Sequence, residues 1–191
     1  MKLNIYSGNF HSTTAGLSPT GERVELFLAG CKMAREGHPC PGCFNKDLWS
    51  DKERHLQETD EIINYIISMT DNRYITIVGG EPLDQHDALV ELCKKLKLNK
   101  FHICLITHYT MEEIIKMEIN NPFKILNFCN LIIDGKYDSS KRVFDTNETP
   151  GIHHVIGSSN QRMWWYTDGI WIDLDIFSPN NKRKDLCYFY C

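Results

Sequence analysis

An α/β fold built on a mainly parallel sheet is predicted by two features of the sequence. Strand-like apolar runs alternate with segments of helical periodicity, and polar or glycine-rich stretches repeatedly follow the strand-like runs. Val24 to Ala29 reads as a buried strand. Asp60 to Met69 carries Ile62, Ile63, Ile66 and Ile67 at helical spacing, with Thr59 or Asp60 as its cap. Tyr74 to Val78 is a strand, and Asp84 to Leu98 is a helix with Leu89, Leu92, Cys93 and Leu96 on its apolar stripe. Phe101 to Thr107 is a strand, followed by a helix from Thr110 to Glu118 in which Thr110 and Glu113 fit a capping box. Leu131 to Asp134 and His153 to Ile156 read as further strands. This alternation fits an open doubly wound sheet or part of a TIM-like barrel. In both, chemistry collects in the loops leaving the C-terminal ends of the strands.

The chain has 191 residues, 42% of them hydrophobic, and shows no repeat or Pro/Gly-rich linker, which suits one domain spanning residues 1–191. Residues 163–191 form a tail whose Trp164, Trp165 and Trp171 read as an apolar covering of the sheet edge or as a docking surface. A net charge of −4 gives no electrostatic footprint for nucleic acid, and Lys182-Arg183-Lys184 reads as a solvated turn. MKLNIYSGNF lacks the apolar stretch of a signal peptide, and no apolar run approaches the roughly 20 residues that span a bilayer. The expectation is a cytoplasmic protein without nucleic-acid or membrane partners.

Eight cysteines in such a compartment point to metal binding or catalysis rather than to disulfides. Cys93, Cys104 and Cys129 lie in or beside apolar runs and read as inert core thiols. Cys31, Cys40 and Cys43 remain, with a separate pair, Cys187 and Cys191. A structural zinc site closes with four ligands, so the three clustered cysteines would need His38 or the C-terminal pair. A 4Fe-4S cluster held by three cysteines instead leaves one iron free for a substrate. Other polar loops follow other strands: Gly79-Gly80-Glu81-Pro82, Asp134-Gly135-Lys136 and Gly157-Ser158-Ser159-Asn160-Gln161.

A cysteine triplet ending CPGCFN, then GGEP, DGK and GSSNQ in that order, resembles the radical S-adenosylmethionine (SAM) superfamily. More narrowly it resembles the activating proteins of anaerobic, class III ribonucleotide reductase, over roughly Gly21 to Arg162. One departure stands out: the family spacing is C-x3-C-x2-C, whereas eight residues separate Cys31 from Cys40, and Gly37 and Pro39 let the extra residues loop out. The resemblance implies a partial TIM-like barrel and an oxidoreductase with Cys31, Cys40 and Cys43 as ligands of a 4Fe-4S cluster. SAM, chelated by the free iron, is cleaved reductively to methionine and a 5′-deoxyadenosyl radical, with no catalytic side chain beyond cluster and SAM.

For SAM binding the resemblance implies Gly42, Cys43 and Phe44, the last against the adenine, and Gly79, Gly80 and Glu81, with the glycines admitting the ligand and Glu81 facing its ammonium. Lys136 would pair with the carboxylate and Asp134 with a ribose hydroxyl or a cation, while Ser158 and Asn160 would face the adenosyl group. The implied partners are the large glycyl radical subunit of the reductase and a reduced flavodoxin- or ferredoxin-type electron donor. Alternatives at this point are an activator of a different glycyl radical enzyme, a radical SAM enzyme acting on a small molecule, and a non-catalytic zinc-binding module.

Overall fold

The computed structural model describes residues 1–6, 11–13, 23–52, 55–122, 124–144 and 156–177. Nine strands are present among them: β1 (Lys2–Ile5), β2 (His11–Thr13), β3 (Arg23–Leu28), β4 (His55–Glu58), β5 (Tyr74–Gly79), β6 (His102–Ile106), β7 (Leu131–Asp134), β8 (Arg162–Thr167) and β9 (Ile170–Asp173). Helices are α1 (Lys32–Arg35), α2 (Thr59–Met69), α3 (His86–Leu98) and α4 (Met111–Glu118). All strands join one sheet in the order β4-β1-β3-β5-β6-β7-β8-β9, with β2 beside β3.

The sheet is mixed, which corrects the expectation of a mainly parallel one. Only β3, β5, β6 and β7 run parallel, through three pairings, against five antiparallel ones on the flanks. The parallel strands are the continuous apolar runs that the sequence displays, because a strand covered on both faces needs apolar residues at every position. Val24, Leu26, Ile75, Ile77, Ile103, Leu105 and Ile132 belong to the larger core with the apolar stripes of α2, α3 and α4. Cys104, Leu131, Ile133 and Met163 form a second core with Val143, Ile156, Leu174 and Ile176.

Local signals set several element ends. Thr110 and Glu113 form the expected capping box of α4. The cap of α2 is Glu58, boxed with Glu61, rather than Thr59 or Asp60; the Thr59 hydroxyl is turned to Glu91. A 3-10 turn, Pro82–Gln85, precedes α3, so that helix starts two residues later than its periodicity suggests. The Trp-rich tail begins as the β8–β9 hairpin, turned by Asp168 and Gly169 at φ 51° and 84°, the positive pair that a type I′ turn requires. His153–Val155 of the expected strand lie outside the described residues, and Ile156 is buried but not in a strand. Lys182–Lys184, Cys187 and Cys191 also lie outside them. Among the described residues no helix is long and apolar enough to cross a membrane.

Candidate active site

Because β3, β5, β6 and β7 are parallel, the segments leaving their C-terminal ends share one rim. A cavity of about 350 Å³ opens there. Its floor is Glu25 and Phe27 of β3, Val78 of β5 and Ile106 of β6, and its rim includes Cys40, Cys43, Phe44, Gly79, Gly80, His108, Tyr137 and Gln161.

Cys31 caps α1 and is buried, whereas Cys40 and Cys43 are half-buried on the cavity wall. The eight residues between Cys31 and Cys40 are not a slack loop. They form α1, closed by bonds from Gly37 N–H to the Ala34 carbonyl and from His38 N–H to the Met33 carbonyl, with Gly37 at φ 88°. That is a Schellman ending, which satisfies the last carbonyls of the helical turn and reverses the chain toward Cys40. The Cys43 N–H then bonds the Cys40 carbonyl at 3.0 Å.

Burial pushes the Cys31 thiol up to about 11, and the charges of Glu81, Asp84 and Cys40 act in the same direction. Cys40 is raised too, first by burial and then by Cys43 and Glu81. Burial thus disfavours the thiolate at both positions, and a metal bound there would have to displace those protons.

The GGEP segment is wedged against the cysteine loop. A Cβ on Gly79 would lie 2.2 Å from the Leu28 carbonyl oxygen, and one on Gly80 would lie 2.1 Å from the Gly30 oxygen and 2.7 Å from that of Leu48. The two glycines are thus required by contact of backbone with backbone, a different reason from the approach of a ligand. The Glu81 N–H donates to the Gly30 carbonyl at 2.7 Å. The Glu81 carboxylate, 1% exposed, accepts from Leu83 N–H (2.9 Å), the Thr107 hydroxyl (2.7 Å) and His108 N–H (2.9 Å), and pairs with His108 Nδ1 at 2.5 Å. Asp84 bonds the Lys32 N–H at the start of α1 and accepts from the Tyr109 hydroxyl.

Asp134 is also held within the protein. It accepts from Met111 N–H at 2.6 Å and from Arg162 at 3.1 and 2.5 Å, and Arg162 reaches on to Glu112 at 2.9 and 2.7 Å. Lys136 is exposed, and its carbonyl accepts from Asn160 Nδ2 at 2.7 Å. Ser158 is fully buried, its hydroxyl accepting from Asp138 N–H, while Gln161 Oε1 takes the N–H groups of Gly157 and Ser158. Gly42 leaves room for the Ser139 side chain, and Phe44, 73% exposed, stands edge-on to Tyr137 at 5.2 Å. Cys93, Cys104 and Cys129 are buried free thiols, as their apolar surroundings suggest.

The structure thus brings Cys40, Cys43, Phe44, Gly79 and Gly80 to one cavity, with Cys31 behind them and Ser158, Asn160 and Asp134 bracing the far side. Sequence reasoning passed over Glu25, Phe27, Thr107, His108, Tyr109 and Tyr137. The segment Thr107-His108-Tyr109 follows a strand-like run at the same rim, which was the available signal.

The donor set suits an iron–sulfur cluster. It comprises three soft thiols on one loop, Cys31, Cys40 and Cys43, and thiolates are the ligands that hold iron–sulfur clusters.

A cysteine loop at the strand-end rim of an α/β sheet, with Cys40 and Cys43 on a cavity of about 350 Å³, is the arrangement that the resemblance to radical SAM proteins implies. The chain belongs to the family described as 4Fe-4S single cluster domain, which matches residues 17–164. It is 32% identical over 158 residues to the anaerobic ribonucleoside-triphosphate reductase-activating protein of Enterobacteria phage T4, spanning 79% of this chain and 88% of that one. The protein of the same name from Vibrio cholerae is 27% identical over 157 residues, 77% of this chain and 90% of that one. The pyruvate formate-lyase-activating enzyme of Staphylococcus epidermidis is 33% identical over 111 residues, 54% of this chain and 42% of that one.

Proposed function

We propose that this protein is a radical SAM activating enzyme that generates a glycyl radical on anaerobic ribonucleoside-triphosphate reductase. The observation that carries the reading is the seating of Cys40 and Cys43 beside Gly79 and Gly80 on one cavity wall, in a chain of the 4Fe-4S family. Cys31, Cys40 and Cys43 would hold the cluster, and the four parallel strands, curved as a partial (β/α) barrel, would carry the site. A cluster held by Cys31, Cys40 and Cys43 would supply the electron for reductive cleavage of SAM, the chemistry needed to abstract hydrogen from a glycine of a partner.

The residues of the chain shape and close that site. Phe44, exposed beside Tyr137, would offer a face for the adenine, with Gly79 and Gly80 lining the same cavity and Gly42, packed on Ser139, shaping the turn before Phe44. Lys136, exposed on the loop after β7, would pair with the SAM carboxylate, and Asn160 and Ser158 hold the loop opposite. Glu81 and Asp134, engaged by Thr107, His108 and Arg162, act through the groups they hold. Phe27, Val78 and Ile106 give the cavity an apolar part that would limit the access of water to a reactive radical. A reduced flavodoxin- or ferredoxin-type protein would supply the electron, in the cytoplasm.

Mixing the reduced, cluster-loaded protein with SAM and the reductase should give an electron paramagnetic resonance doublet from one α-hydrogen, collapsing to a singlet when the partner carries α-deuterated glycine. Fast SAM cleavage with no doublet on the reductase overturns the assignment. The likeness to a pyruvate formate-lyase activator favours a second reading, in which the doublet forms on another glycyl radical enzyme.

A further inference from the structure

Resting on the radical SAM reading, we propose that His108 is a SAM-binding residue, its Nε2 accepting a hydrogen bond from a hydroxyl or amino group of the adenosyl moiety while Glu81 fixes the ring.

The two oxygens of Glu81 already receive Leu83 N–H, the Thr107 hydroxyl and His108 N–H, so the remaining contact, 2.5 Å to His108 Nδ1, is met by a fourth donor. That puts a proton on Nδ1, and in the tautomer that carries this proton alone Nε2 is an acceptor. The ring is clamped on a second side, stacked on Tyr109 with centroids 4.3 Å apart, and the Tyr109 hydroxyl is in turn bonded to Asp84 at 3.2 Å.

His108 is 10% exposed and lines the cavity, and its side-chain contacts among the described residues are the Nδ1 bond to Glu81 and the stack on Tyr109. The same cavity is lined by apolar Phe27, Val78 and Ile106 and by the polar side chains of Glu25, Thr107 and Gln161. A fixed acceptor in such a wall is the kind of group that orients a ligand, because an occupant that fails to donate to it leaves it desolvated and unpaired. The adenosyl part of SAM offers donors of that kind in its ribose hydroxyls and its adenine amino group.

The test uses the anaerobically reconstituted full chain. His108→Asn puts an amide N–H where Nδ1–H lies, keeping the bond to Glu81, and deletes the nitrogen that faces the cavity. His108→Gln carries an amide oxygen out to that place. Iron content, the visible spectrum of the cluster and SAM affinity by equilibrium dialysis are measured for each.

Full iron in all three proteins, SAM binding weakened roughly five- to tenfold in His108→Asn, and recovery of most of it in His108→Gln are the expected results. SAM analogues lacking one ribose hydroxyl, or methylated at the adenine amino group, identify the donor: the one that supplies it binds wild type more weakly and His108→Asn no worse than SAM does. Wild-type affinity in His108→Asn overturns the proposal. So does equal loss in both variants together with loss of iron, which marks a merely structural role. Cluster-loaded wild type that binds no SAM overturns the radical SAM reading itself.

Discussion

Replacing Gly80 by alanine tests how the site is built. The new Cβ would sit 2.1 Å from the carbonyl oxygen of Gly30 and 2.7 Å from that of Leu48, both backbone atoms with no rotamer to yield. Gly30 cannot retreat freely, because its N–H bonds Leu48 at 2.8 Å and its carbonyl receives Glu81 N–H at 2.7 Å. Overpacking of this kind costs about 1–3 kcal/mol, and loss of the Glu81 bond adds about 1 kcal/mol. For a chain of this size a total of roughly 2–4 kcal/mol lowers Tm by about 4–16 °C. Gly37→Ala is the control: its φ is 88°, and a Cβ there meets nothing within 4 Å. Only backbone strain of roughly 1–2 kcal/mol applies to it. Thermal melts of the metal-free proteins under reductant measure both. A Gly80→Ala protein as stable as wild type, or less affected than Gly37→Ala, refutes the claim that the GGEP turn is wedged against the cysteine loop.

Three further outcomes are expected. Alanine at Cys31, Cys40 or Cys43 should each abolish the full 4Fe-4S complement, while alanine at Cys93, Cys104 or Cys129 leaves iron per chain unchanged; full iron in Cys31→Ala would show that the long spacing has another ligand. Arg162→Leu should lower the unfolding free energy from denaturant titration by about 2–3 kcal/mol, less than for a fully buried pair because Arg162 is partly exposed, by stranding Asp134 at 1% exposure without its cation; an unchanged free energy contradicts this. Glu91, bonded to Lys95 and Thr59, and Glu112, bonded to Arg162, are each lowered from the ordinary 4.5 to about 2. Both titrate lower folded than unfolded, so their stabilisation is complete above pH about 4.5 and is lost as pH falls toward 2; a Glu91→Gln, Glu112→Gln protein should show a flatter stability curve in that window, and an unchanged slope counts against the pairs.

The parallel centre of the sheet was legible because VELFL, YITIV, HICLI and LIID are apolar at nearly every position, as strands covered on both sides must be. The antiparallel flanks were not. KLNI and HLQE are four residues each, too short to show a period, and HLQE has no buried position. The β8–β9 hairpin did carry a signal in Asp168-Gly169, but its tryptophans divide between the two cores, Trp164 and Trp171 against one and Trp165 against the other, so they read as a general apolar cover. Within the site, cysteines, paired glycines and DGK stand out as residue types that ordinary turns seldom combine. Thr107-His108-Tyr109 does not stand out, since its meaning comes from Glu81, 26 and 27 positions earlier, reaching across from the neighbouring strand.

That reach explains how the long cysteine spacing is accommodated. The cysteine loop is fixed at its root rather than along its length: Cys31 N–H bonds the Trp49 carbonyl, Gly30 receives Glu81 N–H, and Lys32 N–H is held by Asp84. At its far end Ser139 N–H bonds the Pro41 carbonyl, tying the cysteine loop to the segment after β7. Between those anchors α1 closes on its own Schellman ending and contributes Ala34 as its one buried residue besides the Cys31 cap, so the extra residues fold outward as a self-contained turn. The anchors on either side, rather than the length of α1 and its closing turn, tie the loop that carries Cys40 and Cys43 to the strand ends.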